Sequence, residues 1–163
     1  MTKLTHIDAQ GAARMVNVGN KQATQRSAKA EAILHVHERV MAAIRANDTP
    51  KGNVLETARL AGIMAAKRTD ALIPLCHTLP LHHVSVDFEL LDCSIRVIAF
   101  AETHAPTGVE MEALVAASIA GLTLYDMLKA LQKDMTLASV RLLEKKGGTS
   151  GDDVPPQPAS APT

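Results

Sequence analysis

Apolar residues return every third or fourth position through one long stretch, residues 107–135, which reads TGVEMEALVAASIAGLTLYDMLKALQKDM. Leu114, Val115, Ile119, Leu122, Met127 and Leu131 mark one side of a helix there, and no proline interrupts it. Thr107 followed three residues later by Glu110 predicts a capping box at its start. Ala113, Ala117 and Gly121, each four apart, form a flat stripe that another backbone can approach closely. At 1.5 Å per residue the helix should run on the order of 35–40 Å.

Elsewhere the period changes. Residues 14–18 alternate and predict a short first strand, followed by a polar connection to Gln25. Residues 27–45 carry Ala30, Ile33, Leu34, Met41 and Ile44 at helical spacing, so a helix is expected. The Asn-Asp-Thr-Pro-Lys-Gly run at 47–52 breaks it. Asn53, with Glu56 three residues on, caps a second helix running to about Arg68. Residues 73–80 are bracketed by Pro74 and Pro80, which fix φ and stiffen the segment. Alternation resumes at Val84, Val86, Phe88 and Leu90, then over 95–101, and the pair reads as a hairpin turning at 92–94. After the long helix, residues 137–143 predict a last strand. The series strand, helices, strand, strand, helix, strand is the ferredoxin-like one: an α+β fold with an antiparallel sheet and helices packed on one face. Residues 1–11 read as a flexible N-terminus, 12–146 as a single domain, and the Gly-, Ser-, Pro- and Ala-rich residues 147–163 as a disordered tail.

Composition narrows the chemistry. With 163 residues there is enough chain for one real core. Aromatics are only 2% with no Trp, so that core must be Leu, Val, Ile, Ala and Met. Zero net charge and few stacking platforms argue against a nucleic-acid binder. No uninterrupted apolar run and no apolar leader behind the N-terminus are seen, so neither a membrane span nor a signal peptide is expected. Cys76 and Cys93 are too few for a disulfide framework, and a cytoplasmic protein is the expectation.

Charges on the long helix are the first candidate chemistry. Asp126, Lys129 and Lys133 stand at i, i+3 and i+7 on one face, and Glu112 falls within roughly 40° of Asp126. Glu112 and Asp126 are nonetheless about 21 Å apart along the axis. A single small substrate cannot span that in one subunit, so a site using both would be shared between subunits. The bland alternative is an ordinary solvated face, where acid–lysine pairs contribute a few tenths of a kcal/mol. Lys51, in a Pro-Lys-Gly loop before a helix start, suits an anion site or is a surface lysine. Lys67 and Arg68 suit the end of a helix dipole. Cys76-His77 with His82-His83 has no zinc spacing, so phosphate binding, proton transfer or a structural role fits His77 better than a metal. Neither GxGxxG nor GxxxxGK[ST] is present.

Three segments together carry a resemblance. KGNVLETARLAGIMAAKRTDALIPLCHTLPL, TGVEMEALVAASIAGLTLYDMLKALQKDM and VRLLEKKGGTSG closely resemble the MoaC family, the cyclic pyranopterin monophosphate synthases of molybdenum-cofactor biosynthesis. The opening LTHIDAQGAARMVNV is similar too, so the resemblance covers about residues 4–151. It implies a lyase that converts 3′,8-cyclo-7,8-dihydroguanosine 5′-triphosphate to cyclic pyranopterin monophosphate and pyrophosphate. By similarity Asp126, Lys129 and Lys51 would be catalytic, while Leu75, Cys76, His77, Met111, Glu112 and Lys67 would bind substrate. It further implies a homohexamer, a trimer of dimers with sites at dimer interfaces, and no resident metal or organic cofactor, with Mg²⁺ at most accompanying the triphosphate. The rival class is a non-enzymatic ferredoxin-like module that binds a small ligand.

Overall fold

Alternation builds the sheet. In the computed structural model, which describes residue 7, residues 10–148 and residues 151–156, four strands run antiparallel in the order β2-β3-β1-β4. They are β1 (Thr24–His35), β2 (Leu81–Leu90), β3 (Ser94–Ala105) and β4 (Thr136–Lys146). Between them lie α1 (Glu38–Arg45), α2 (Val54–Ala66), the single turn α3 (Thr69–Leu72) and α4 (Glu110–Leu128). Strand order and direction are those of the ferredoxin-like α+β fold.

Register explains which face is covered. Ala28, Ala30, Ala32 and Leu34 of β1 pair with Ala101, Ala99, Val97 and Ile95 of β3, and all eight are buried. Side chains two apart share a face, so this is one continuous apolar surface, and α4 and α2 lie on it. Alanines along β1 let α4 sit close. Gly62 of α2 lets the two helices touch: a Cβ there would come 2.9 Å from the Ala116 carbonyl oxygen and 3.2 Å from the Ala120 methyl. The stripe Ala113, Ala117, Gly121 is buried as well, with Gly121 against Leu137 of β4. By length and composition α4 passes for a membrane span, yet it is packed between α2 and the sheet as the core helix.

On the opposite face of β1, Glu31 is almost fully buried and accepts from Arg96 and Arg141, each at 2.6 Å. Burial pushes its carboxyl up, but the two guanidinium groups outweigh that, and the net result is a lowered pKa.

Several expectations are corrected. The first strand is β1 and not residues 14–18, which carry no strand. Residues 27–35, expected as the front of a helix, are that strand, and only Glu38–Arg45 is helical. No capping box forms at α4: its N-cap is Val109 without a side-chain cap, and Glu110 instead pairs with Lys145 at 3.3 Å. The helix ends at Leu128, so its 19 residues span about 28 Å. Lys133 therefore leaves the Asp126 face, and its carbonyl accepts from the Tyr125 hydroxyl at 2.6 Å. The hairpin and the Asn53 cap are as expected, the latter with Asn53 Oδ1 accepting from the Glu56 amide at 3.1 Å. After β4, Gly147 and Gly148 adopt positive φ and turn the chain so that Lys145 and Asp153 exchange backbone hydrogen bonds. Of the terminal stretches read as loose, residues 1–6, 8, 9, 149, 150 and 157–163 lie outside the described residues.

Candidate functional site

The two ends of α4 carry two different groups of candidates. At the C-terminal end, Asp126 occupies the last turn and Lys129 is the C-cap residue. Lys129 Nζ lies 2.7 Å from Asp126 Oδ1. Lys51 arrives from the α1–α2 connection, where Thr49 Oγ1 donates to the Gly52 carbonyl and Gly52 takes φ +78°, a conformation that favours glycine. Its Nζ donates to Asp126 Oδ2 at 2.8 Å and to the Asp126 carbonyl at 2.9 Å. Both carboxylate oxygens are thus held between two ammonium groups at an exposed position. Hydrogen bonds from Lys129 and then Lys51 hold the Asp126 carboxyl at about 2, and the same pairing raises Lys129 above its ordinary value.

At the N-terminal end, Met111 and Glu112 lie in the first turn of α4, and Leu75, Cys76 and His77 lie in the proline-bracketed connection between α3 and β2. They line one cleft of about 430 Å³, together with Val16, Lys21 and Gly108. Glu112 is 4% exposed and deeply placed. Burial pushes its carboxyl up to about 7, the charges of Glu110 and Asp70 push the same way, and its own backbone amide opposes them. His77 Nε2 lies 2.7 Å from the Val16 carbonyl oxygen. A carbonyl only accepts, so Nε2 carries the proton and Nδ1 is the nitrogen left for a ligand. Cys76 is half-buried, and burial, Glu112 and Asp70 raise its thiol, which keeps it from being a ready thiolate. Lys67, the C-cap of α2, shares a small gap behind the cleft with Asp70, His77, Thr78 and Glu112. Among the described residues no three His, Cys, Asp or Glu side chains converge on a metal-sized point.

The structure therefore brings Lys51, Asp126 and Lys129 together, and Leu75, Cys76, His77, Met111, Glu112 and Lys67 together, but does not join the groups. Sequence spacing gave no hint of Asp70, Thr78 or the Val16 carbonyl, because these meet the cleft only through the fold.

What these groups can do chemically is complementary. One end offers a fully ionised carboxylate between two proton-bearing lysines in contact with water. The other offers a recessed carboxyl that titrates near neutrality, a histidine of fixed tautomer and a lysine. Comparison with known proteins agrees with the resemblance in the sequence. The MoaC family model matches residues 15–148. A cyclic pyranopterin monophosphate synthase from Nostoc sp. is 55% identical over 159 residues, which is 95% of this chain and 94% of that one. Proteins of the same name from Novosphingobium aromaticivorans and Brucella melitensis are 53% and 52% identical, over 93% and 97% of this chain and 96% and 97% of theirs. The chain belongs to the MoaC family.

Proposed function

We infer that the chain is a lyase of molybdenum-cofactor biosynthesis that converts 3′,8-cyclo-7,8-dihydroguanosine 5′-triphosphate to cyclic pyranopterin monophosphate and pyrophosphate. What carries the reading is identity above one half, over nearly the whole chain, to proteins that bear that synthase name. The chemistry of the two clusters fits it. Rebuilding a purine ring system into a pterin needs repeated proton transfers, which Asp126 and Lys129 can relay, since acid and base already share a hydrogen bond. Closing a ring on the α-phosphate needs a hydroxyl to lose its proton while pyrophosphate leaves with added negative charge. Lys67 and His77, with Lys51 from the other cluster, are the groups to meet that charge. Leu75, Cys76, Met111 and Glu112 shape the pocket for the substrate's ring system. The reaction is read as needing no resident cofactor, with any Mg²⁺ entering as the companion of the triphosphate, and as taking place in the cytoplasm.

The sites would be completed between subunits of a homohexamer built as a trimer of dimers. In support, the clusters sit about 21 Å apart along α4. The face beside Glu112 also carries an apolar groove lined by Leu72, Met111, Leu114, Ile119 and Val140, with Leu72 53% exposed. Pyrophosphate release from the cyclic dihydro-GTP intermediate tests the activity: release by the wild type and not by folded Asp126→Asn is expected, and no release by either overturns the reading. Mixing tests the sharing. Asp126→Asn and His77→Ala, each inactive alone, should regain about a quarter of wild-type activity after dissociation and reassembly at equal amounts, because half the dimers are mixed and each holds one intact site. No recovery would place both clusters' work within one subunit.

A further inference from the structure

The connection that carries Cys76 and His77 has no regular secondary structure, so something other than a helix or sheet must hold it. Four bonds do so. The Cys76 amide donates to the Ile73 carbonyl at 3.0 Å, closing a turn. His77 meets the Val16 carbonyl, and Thr103 Oγ1 donates to the Pro80 carbonyl at 2.6 Å. Thr78 Oγ1 donates to Asp70 Oδ2 at 2.5 Å, while Asp70 Oδ1 accepts from the Ala71 amide at 3.0 Å. Among the described residues this last pair is the side-chain bond that ties the connection to α3. The Asp70 carboxylate is thereby fixed in orientation at both oxygens, in the gap it shares with Lys67, His77, Thr78 and Glu112.

We propose that Asp70 is a positioning residue of the cleft, one carboxylate that anchors the Cys76–His77 connection through Thr78 and imposes a fixed negative charge on the buried Glu112. The inference rests on the synthase reading only for its kinetic readout. Two effects meet in one side chain, and they separate by substitution. The groups facing Glu112 are Glu110 on its own helix, Asp70 on α3, Lys67 at the end of α2, Cys76 and His77 on the connection and Lys21 from the segment ahead of β1. Asp70 is the acid contributed from outside α4, so it favours the protonated carboxyl. A neutral donor at that depth suits hydrogen bonding to an acceptor on the substrate's ring system, whereas an unpaired carboxylate there would be costly.

Asp70→Asn keeps the shape. Its Oδ1 still accepts from Ala71, and its amide faces Thr78 Oγ1, which can rotate to accept. Only the charge is lost. The midpoint of Glu112, followed by carboxyl NMR of ¹³C-labelled protein, should fall by about half a pH unit in Asp70→Asn, and the limb on which kcat/KM declines as pH rises should move with it. Thr78→Val keeps the charge and loses the tether. It should lower kcat/KM roughly tenfold with the NMR midpoint unmoved, and Thr78→Ser should restore it. An unchanged midpoint in Asp70→Asn, or wild-type kinetics in Thr78→Val, overturns the proposal. The NMR midpoint does not depend on turnover, so a wild type that released no pyrophosphate would defeat the synthase reading while leaving this measurement to decide the role of Asp70.

Discussion

Each of the two clusters at the ends of α4 holds one of its carboxylates, Asp126 or Glu112, and the fold drives these two in opposite directions. Asp126 lies in water between Lys51 and Lys129 and is held at about 2. Glu112, on the same helix, is 4% exposed and is pushed up to about 7, chiefly by burial. At neutral pH the first is always ionised, while the second is divided between its two forms. Pairs of acids with separated pKa values are how active sites divide acid and base roles between similar groups. The contrast teaches that burial and neighbours, not residue type, set the assignment. Asp126 is suited to holding and orienting the two lysines that carry protons at its end, and Glu112 to offering a proton of its own.

The sharpest break in that contrast is Asp126→Asn. The amide keeps the shape, loses the charge between the two lysines and cannot relay a proton, so turnover should fall 10²–10⁴-fold. Because the site is exposed, the melting temperature should scarcely move. A variant within fivefold of wild type in pyrophosphate release would take the acid–base work away from this end.

Glu112→Gln should instead raise stability. A carboxyl raised above its ordinary 4.5 costs folding free energy that is absent at acid pH. That cost grows as pH rises from about 4.5 through about 7 and is then constant. Two to three pH units correspond to roughly 3 kcal/mol. Glutamine never ionises, so the variant should match wild type at pH 4 and melt roughly 6–12 °C higher at pH 8. Its pH–activity profile should also lack the wild-type decline near 7. Equal melting temperatures at pH 8 would mean that Glu112 has a cation to pair with in the assembled protein.

How much of this contrast the sequence revealed depends on reach along the chain. Asp126 with Lys129 is an i,i+3 pair, and the helical period exposes it at once. Lys51 is 75 positions away from Asp126 and joins it only because α2 packs antiparallel along α4, which no local pattern records. The burial of Glu112 is equally tertiary: periodicity puts it near the Asp126 face, yet α3 and the 73–80 connection cover it. The misread β1 has a different cause. Its Ala, Lys and Glu residues are strong helix formers, and Ala30, Ile33 and Leu34 mimic a helical stripe. Ala28-Lys29-Ala30-Glu31-Ala32 in fact alternates with period two, and β-sheet pairing on both sides overrode propensity. The capping box failed because Glu110 had a better partner in Lys145, brought by β4.

Both ends ride on one helix, so a change at its middle should disturb them together. Gly62→Ala places a methyl 2.9 Å from the Ala116 carbonyl oxygen, a backbone atom that cannot swing away. The helices must part by a few tenths of an ångström at a cost of about 1–3 kcal/mol, read as a melting temperature lower by roughly 3–10 °C. Activity should fall modestly whichever cluster limits it. A loss confined to substrate affinity, with turnover intact, would show instead that the clusters are mechanically independent.

Asn53→Ala should produce the smallest effect and confine it to one end. Asn53 Oδ1 satisfies the Glu56 amide at the start of α2, and the preceding turn, with Thr49 bonded to the Gly52 carbonyl, aims Lys51 at Asp126. Losing the cap costs about 1 kcal/mol, because one amide of the first turn returns to water and the turn frays. Lys51 is anchored two residues before that cap, so fraying loosens its reach while Lys129, on α4, keeps its grip on Asp126. Turnover should then drop a fewfold, with the Glu112 midpoint and the neutral-pH limb unchanged, since residues 49–53 line neither the Glu112 cleft nor the gap behind it. A shift of that limb in Asn53→Ala would mean that the two carboxylates sense each other along the helix. The separation of environments seen at the two ends of α4 would then be incomplete.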